Sequence, residues 1–111
     1  MRIEWNGKLF GNAHGGEMSV GFHELVAHAA GTRPLCAGTM IGSGTVANAD
    51  YGEVGSSCIS ERRGIELIDT GEATTPFMAF GDTVSMEARL PDGGSVFGPI
   101  RQRVVRAGAA R

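Results

Sequence analysis

Eighteen of the 111 residues are glycine, against a background of roughly 7%, and this excess constrains the fold more than any other feature. Glycine reaches backbone angles closed to other residues and weakens helix interiors, so a chain this rich in it reverses direction often. With only four prolines, no internal repeat and no low-complexity run, the pattern is that of short strands joined by tight turns. It is not that of a flexible linker. The expected class is mainly β of the α+β type.

The length allows one domain at most, with a modest core if the unit is complete. A net charge of -2 and a pI near 5.9 give no basic face for nucleic acid, so no nucleic-acid partner is expected. Arg101, Arg103, Arg106 and Arg111 read as the solvated edge of a strand and tail. Cys36 and Cys58 are too few for a disulfide framework, and no Cys-x-x-Cys pair exists; both are expected to pack as small buried hydrophobes. The charged start Met1-Arg2-Ile3-Glu4 is unlike a signal peptide, and no apolar run is long enough to span a bilayer. A cytoplasmic protein without a membrane partner is the expectation.

Along the chain, Asn6-Gly7 suits a type I′ turn and predicts a hairpin between Arg2–Trp5 and Lys8–Phe10. Phe22, Leu25, Val26 and Ala29 recur at helical spacing, with Ser19 as a cap and Gly31 as a stop, so one helix is expected over about 21–30. The apolar run at Met40-Ile41 ends in Gly42-Ser43-Gly44-Thr45, which reads as a buried strand whose end bends sharply. There the free backbone N–H groups and the Ser43 and Thr45 hydroxyls would suit a carboxylate or an oxyanion. A plain glycine turn is the other reading of the same residues. The polar loop 48–55, with Asp50 and Glu53, would form a rim beside it.

Cys58 to Arg62 alternates and Ile65 to Ile68 continues the run, predicting strand, with a turn at Asp69-Thr70-Gly71-Glu72. Thr83 to Arg89 alternates Val84, Met86 and Ala88 against Ser85, Glu87 and Arg89, a strand with one wet face. Pro91-Asp92-Gly93-Gly94 then reverses the chain into 95–100.

Four segments in order carry a family resemblance: Phe22–Ala30, Ala37-Gly38-Thr39-Met40-Ile41-Gly42-Ser43-Gly44-Thr45, Gly55-Ser56-Ser57-Cys58-Ile59-Ser60-Glu61, and Phe80–Arg89 with Asp92-Gly93 and Phe97–Gln102. Together they resemble the fumarylacetoacetate hydrolase family. The resemblance implies a mixed β-roll and a metal-dependent hydrolase that cleaves a carbon–carbon bond in a β-diketone acid, typically in aromatic catabolism, commonly as a homodimer. It also implies that 1–111 is a single partial domain, the carboxy-terminal segment of the catalytic domain. The family's Mg²⁺ or Ca²⁺ ligands, its catalytic histidine and its lysine lie upstream.

Two matches transfer by residue. Gly44-Thr45 corresponds to the family's Gly-Thr at the carboxylate or carbonyl end of the substrate. Glu61 corresponds to a glutamate that orients the catalytic histidine; a surface ion pair with Arg62 or Arg63 is the competing reading. No metal ligand is assigned within the chain, because Glu53, Glu61, Glu66, Asp69 and Glu72 do not converge by local spacing. His23 and His28 lie five apart, about 140° around a helix, and so cannot share an ion as an i, i+4 pair does; with His14 they are expected to be structural or solvent-facing. The expected chain is therefore a portion of such a hydrolase, inactive alone and binding no metal alone; a non-catalytic binding or assembly module derived from the fold is the alternative.

Overall fold

In a computed structural model that describes residues 1–108, the organising element is a four-stranded antiparallel sheet of order β2-β1-β3-β4. Its strands are β1 (Arg2–Trp5), β2 (Lys8–Gly11), β3 (Thr83–Glu87) and β4 (Ile100–Arg103). The β1–β2 hairpin forms as its turn residues require: Asn6 and Gly7 both take positive φ, 51° and 76°, as a type I′ turn demands. Asn6 also ties this hairpin to β3. Its side-chain N–H₂ donates to the Asp82 carboxylate at 2.8 Å, and its side-chain oxygen accepts from the Thr83 N–H at 2.8 Å. The Asn6 amide, followed by the Ala79 N–H, holds the Asp82 carboxyl below its usual range.

The expected alternation sorts the two sheet faces. Ile3 pairs with Met86 and Trp5 with Val84 on one face, while Arg2 pairs with Glu87 and Glu4 with Ser85 on the other. On the wet face Arg2 bridges Glu4 at 2.7 Å and Arg89 bridges Glu87 at 2.6 Å. The apolar face is only partly covered. Among the described residues the buried hydrophobics are Ile3 and Ala13, and no large side chain is wholly buried.

Three helices accompany the sheet: α1 (Phe22–Thr32), α2 (Tyr51–Val54) and α3 (Ile59–Thr70). The mixed α+β class is as expected, but the expectation of a single helix is corrected. Of the region 58–68, read as strand, Cys58 alone is extended (φ -144°, ψ 133°) and the rest is helical. Its short alternation is outweighed by terminal signals: Glu61 stands three residues after Cys58 at the start, and Gly71 ends the helix in the left-handed conformation (φ 81°), its N–H donating to the Leu67 carbonyl at 3.1 Å. The turn expected at 69–72 is thus a helix stop.

Helix α1 lies where expected, with different ends. Gly21, not Ser19, is the N-cap, and its N–H donates to the Glu24 carboxylate at 2.8 Å. Gly31 is inside the helix, which ends at Thr32; the following Arg33 is extended (φ -161°, ψ 150°) because Pro34 disfavours helical angles before it.

The segment Met40–Thr45 is not a buried strand. It has no regular structure, and Met40 is 95% exposed. Four residues after the long apolar side chain are glycine or hydroxylic, so the run buries too little surface to join the sheet. The reversal at 91–94 does form, with the Leu90 N–H donating to the Gly94 carbonyl at 2.8 Å. The strand that then pairs with β3 is β4, while Ser95 makes only an isolated bridge to Arg89. The cysteines are also corrected: Cys36 is exposed and Cys58 half-buried. Arg101, Arg103 and Arg106 are exposed as expected, and Arg111 lies outside the described residues.

The helical side of the molecule joins the sheet through backbone. Gly11 bridges Gly55, the Asn12 N–H donates to the Val54 carbonyl at 2.6 Å, and the Arg62 guanidinium donates to the Phe10 carbonyl at 3.0 Å. A Cβ on Gly11 would strike the Ser56 carbonyl, and one on Gly55 would stand 2.5 Å from the Phe10 carbonyl oxygen. Both obstacles are backbone and cannot rotate away. Gly11→Ala should therefore lower the unfolding free energy by about 2 kcal/mol, read as a lower urea midpoint, whereas Gly31→Ala, with open space around its Cβ position, should leave it level or raise it.

Candidate functional site

The junction at Gly55 places the start of α3 against the apolar face of the sheet. Ser57, Cys58 and Ile59 there share an open cleft of about 360 Å³ with Trp5, Phe10 and Met86. The walls are aromatic and aliphatic: Trp5 and Phe10 meet edge-on with centroids 5.9 Å apart, Arg62 covers the Phe10 ring at 5.0 Å, and Arg63 covers Phe77 at 4.9 Å. Among the described residues four buried side-chain polar atoms have no hydrogen-bond partner, Trp5 Nε1, Ser56 Oγ, Ser57 Oγ and Glu61 Oε2, and Trp5 and Ser57 line the cleft. Unpaired buried polar atoms are costly.

The segment Gly42–Thr45 lies in an irregular loop apart from this lining. The loop after it is anchored by a reciprocal pair, in which the His14 N–H donates to Asn48 Oδ1 at 2.9 Å and Asn48 Nδ2 donates to the His14 carbonyl at 3.0 Å. The Ala49 N–H donates to the Glu17 carboxylate at 2.9 Å and is the chief cause that holds that carboxyl below its usual range. Gly44 and Thr45 line a second cleft of about 400 Å³ with Ser19 and Leu25. Gly44 has open space around it and no positive φ, so neither a close contact nor an unusual backbone angle requires glycine there. The Ser43 hydroxyl donates to the Gly44 carbonyl at 2.9 Å.

Thr45 and Glu61 both influence the Cys58 thiol. The thiol is held below its usual range chiefly by the backbone N–H of Glu61 against the opposing effect of burial, with the Ser60 N–H and the Thr45 hydroxyl adding to the lowering and the Glu61 carboxylate opposing it. Cys58 is the N-cap of α3, where unpaired N–H groups and the helix dipole favour a negative atom. Glu61 therefore sits in the first turn of a helix and not on a strand. Its competing reading as an ion-pair partner fails: Arg62 donates to the Phe10 carbonyl and Arg63 to the Thr75 carbonyl.

Cys58 is the residue that sequence reasoning passed over. The signal was present, since a thiol before Ile-Ser-Glu occupies the place a serine takes in a helix-capping pattern. His23 and His28 are exposed on α1, and His14 is exposed with Nε2 3.4 Å from Glu17. Among the described residues no three His, Cys, Asp or Glu side chains gather as a metal would require, and no helix is long and apolar enough to cross a membrane.

A family model described as fumarylacetoacetate (FAA) hydrolase C-terminal matches residues 1–105. Comparison with curated proteins returns no significant match.

The environment of Cys58 sets a measurable pH response. In the folded chain its alkylation by iodoacetamide should rise with pH around a midpoint below the ordinary thiol value, and unfolding in urea should return the midpoint upward. Thr45→Val removes one donor and should raise the folded midpoint, while Ser43→Ala should not.

Proposed function

Because the chain belongs to the fumarylacetoacetate hydrolase family, matching its carboxy-terminal model over residues 1–105, we propose that it is the carboxy-terminal portion of a metal-dependent hydrolase that cleaves a carbon–carbon bond in a β-diketone acid, an activity of aromatic catabolism in the cytoplasm. The observation that carries this reading is the family match over residues 1–105; the Thr45 hydroxyl and the Glu61 backbone N–H, which both lower the Cys58 thiol at the start of α3, support it. On this proposal two segments separated in sequence supply a hydroxyl donor and a carboxylate near the start of α3. This is the equipment for holding the oxygen-rich end of a diketo acid.

In this reading Gly44 lets the substrate approach the main chain and Thr45 donates to its carboxylate or carbonyl oxygen. Glu61 orients an imidazole supplied from outside the described residues. Its buried, unpaired Oε2 suits that role, since a carboxylate that accepts an N–H fixes the tautomer and stabilises the imidazolium.

The donors present do not fit the Mg²⁺ or Ca²⁺ that the family implies. Such ions take six or more oxygen ligands, whereas among the described residues no three His, Cys, Asp or Glu side chains gather and the Glu61 carboxylate lies near a thiol. The ion belongs, on this proposal, to ligands supplied elsewhere in the intact enzyme, and no step through it is assigned to this chain. Isothermal titration of the chain with Mg²⁺ and Mn²⁺, then with oxalate as an enolate mimic, should show no saturable metal binding and no metal-dependent oxalate binding. Stoichiometric binding of both would make this a complete site and overturn the proposal.

The alternative, a non-catalytic binding or assembly module built on the same fold, draws support from surface. Phe22, Val26, Phe77, Phe80 and Phe97 are all large and exposed, more apolar surface than an isolated chain ordinarily leaves in water. Self-association as a homodimer is the expected outcome on either reading, and sedimentation equilibrium should report twice the 11.6 kDa chain mass. A monomer across the concentration range would remove the homodimer from both.

A further inference from the structure

Residues 73–79 cross from the end of α3 toward β3 without regular structure. Their two ends are held differently. At the β3 end the backbone is fixed by groups that do not titrate: the Gly81 N–H donates to the Val104 carbonyl at 2.8 Å and the Asp82 N–H to the Ala79 carbonyl at 3.1 Å. The Asp82 carboxylate adds a bond from the Ala79 N–H at 2.8 Å. Toward α3, among the described residues, no backbone–backbone hydrogen bond involves 73–78, and side chains of the helix take that role. The Glu66 carboxylate accepts from the Thr74 N–H at 2.7 Å, from the Thr75 N–H at 2.9 Å and from the Thr75 hydroxyl. The Arg63 guanidinium donates to the Thr75 carbonyl and covers the Phe77 ring at 4.9 Å. Between the two fastenings, Phe77 and Met78 line the same cleft as Trp5 and Cys58.

Three donors on one carboxylate make Glu66 the fastening on which the α3 end depends, because hydrogen bonds to a charged acceptor are roughly twice as strong as neutral ones. Its charged neighbours at helical spacing are Arg62, Arg63 and Asp69; Arg62 favours the ionised carboxylate, and Arg63 is committed to Thr75. Within 71–79 Glu72 is the one titratable side chain, and among the described residues it makes no ion pair. We propose that 73–78 is a strap, hinged at Ala79 to Asp82 and fastened across the apolar cleft by Glu66, and that loss of the Glu66 charge frees its α3 end and opens the cleft while the sheet stays folded. Every fastening lies within this chain and none uses Thr45 or Glu61, so the strap is independent of the hydrolytic reading. The Thr75 hydroxyl, and after it the Thr75 N–H, hold the Glu66 carboxyl below its usual range. The fastening is therefore complete above the ordinary glutamate value of about 4.3 and is lost as pH falls through the lower folded value.

Trp5 is the sole tryptophan, so acrylamide quenching of its fluorescence in the full 111-residue chain reads the opening of the cleft, while amide hydrogen exchange reads strap and sheet separately. In Glu66→Gln at pH 7, exchange at Thr74 and Thr75 should quicken by about tenfold and Trp5 quenching should rise, with exchange across the β1–β3 ladder unchanged. Thr75→Val, which removes the hydroxyl and leaves both N–H donors, should give the same changes to a smaller degree. In the parent chain, acidification should raise Trp5 quenching before the β1–β3 ladder loses protection, and this titration decides the matter should Glu66→Gln not fold. Unchanged quenching and exchange in a folded Glu66→Gln, a larger effect from Thr75→Val than from Glu66→Gln, or loss of strap and ladder together at one acid midpoint would overturn the proposal.

Discussion

The backbone contact between β2 and the α2–α3 connection is what the rest of the molecule hangs on. Gly11 and Gly55 approach so closely that neither position accommodates a Cβ, and the hydrogen bonds on either side of them satisfy groups that a sheet edge would otherwise leave open. Through this contact the start of α3 is held over the apolar face of the sheet. Without it, Cys58 and Glu61 would have no fixed relation to Trp5, Val84 and Met86. The two glycines thus serve proximity, and Gly55 also takes a positive φ of 73° that other residues rarely adopt.

What this contact does not supply is a closed core. One side of the sheet carries aromatic and aliphatic residues, yet they face an open cleft shared with residues 57–60, Phe77 and Met78. Apolar burial is the main favourable term in folding, roughly 25 cal/mol for each Å² removed from water, and with no large side chain wholly buried among the described residues little of it is gathered. The polar atoms left unpaired around the same cleft point the same way. Both are the signature of a surface that stabilises further when something covers it.

The chemistry gathers at a helix start for a physical reason. The first turn of α3 presents unpaired N–H groups, and a residue at its cap experiences them directly. Cys58 takes that position, with the Thr45 hydroxyl arriving from the glycine-rich loop and the Glu61 carboxylate from three residues along the helix. The balance among these groups lowers the thiol despite a nearby negative charge, so the backbone donors outweigh the carboxylate. The same donors that favour a thiolate would favour a substrate oxygen.

Local chemistry was legible in the sequence wherever it acts within a few residues. Asn6-Gly7 specified its hairpin because two adjacent residues must take positive φ. The alternation from Thr83 specified β3 because each side chain must choose a face, and the spacing of Phe22, Leu25, Val26 and Ala29 specified α1. The ordered motifs specified the family. What tertiary structure alone decided was whether an ambiguous segment is helix or strand, and which distant residues meet. Residues 58–68 alternate over a stretch too short to outweigh a cap at one end and Gly71 at the other. Met40-Ile41 has the composition of a buried strand but finds no partner strand to bury it. The influence of Thr45 and Glu61 on Cys58 depends on the Gly11–Gly55 approach and the Asn48 anchor, contacts across dozens of residues that leave no periodic trace in the chain.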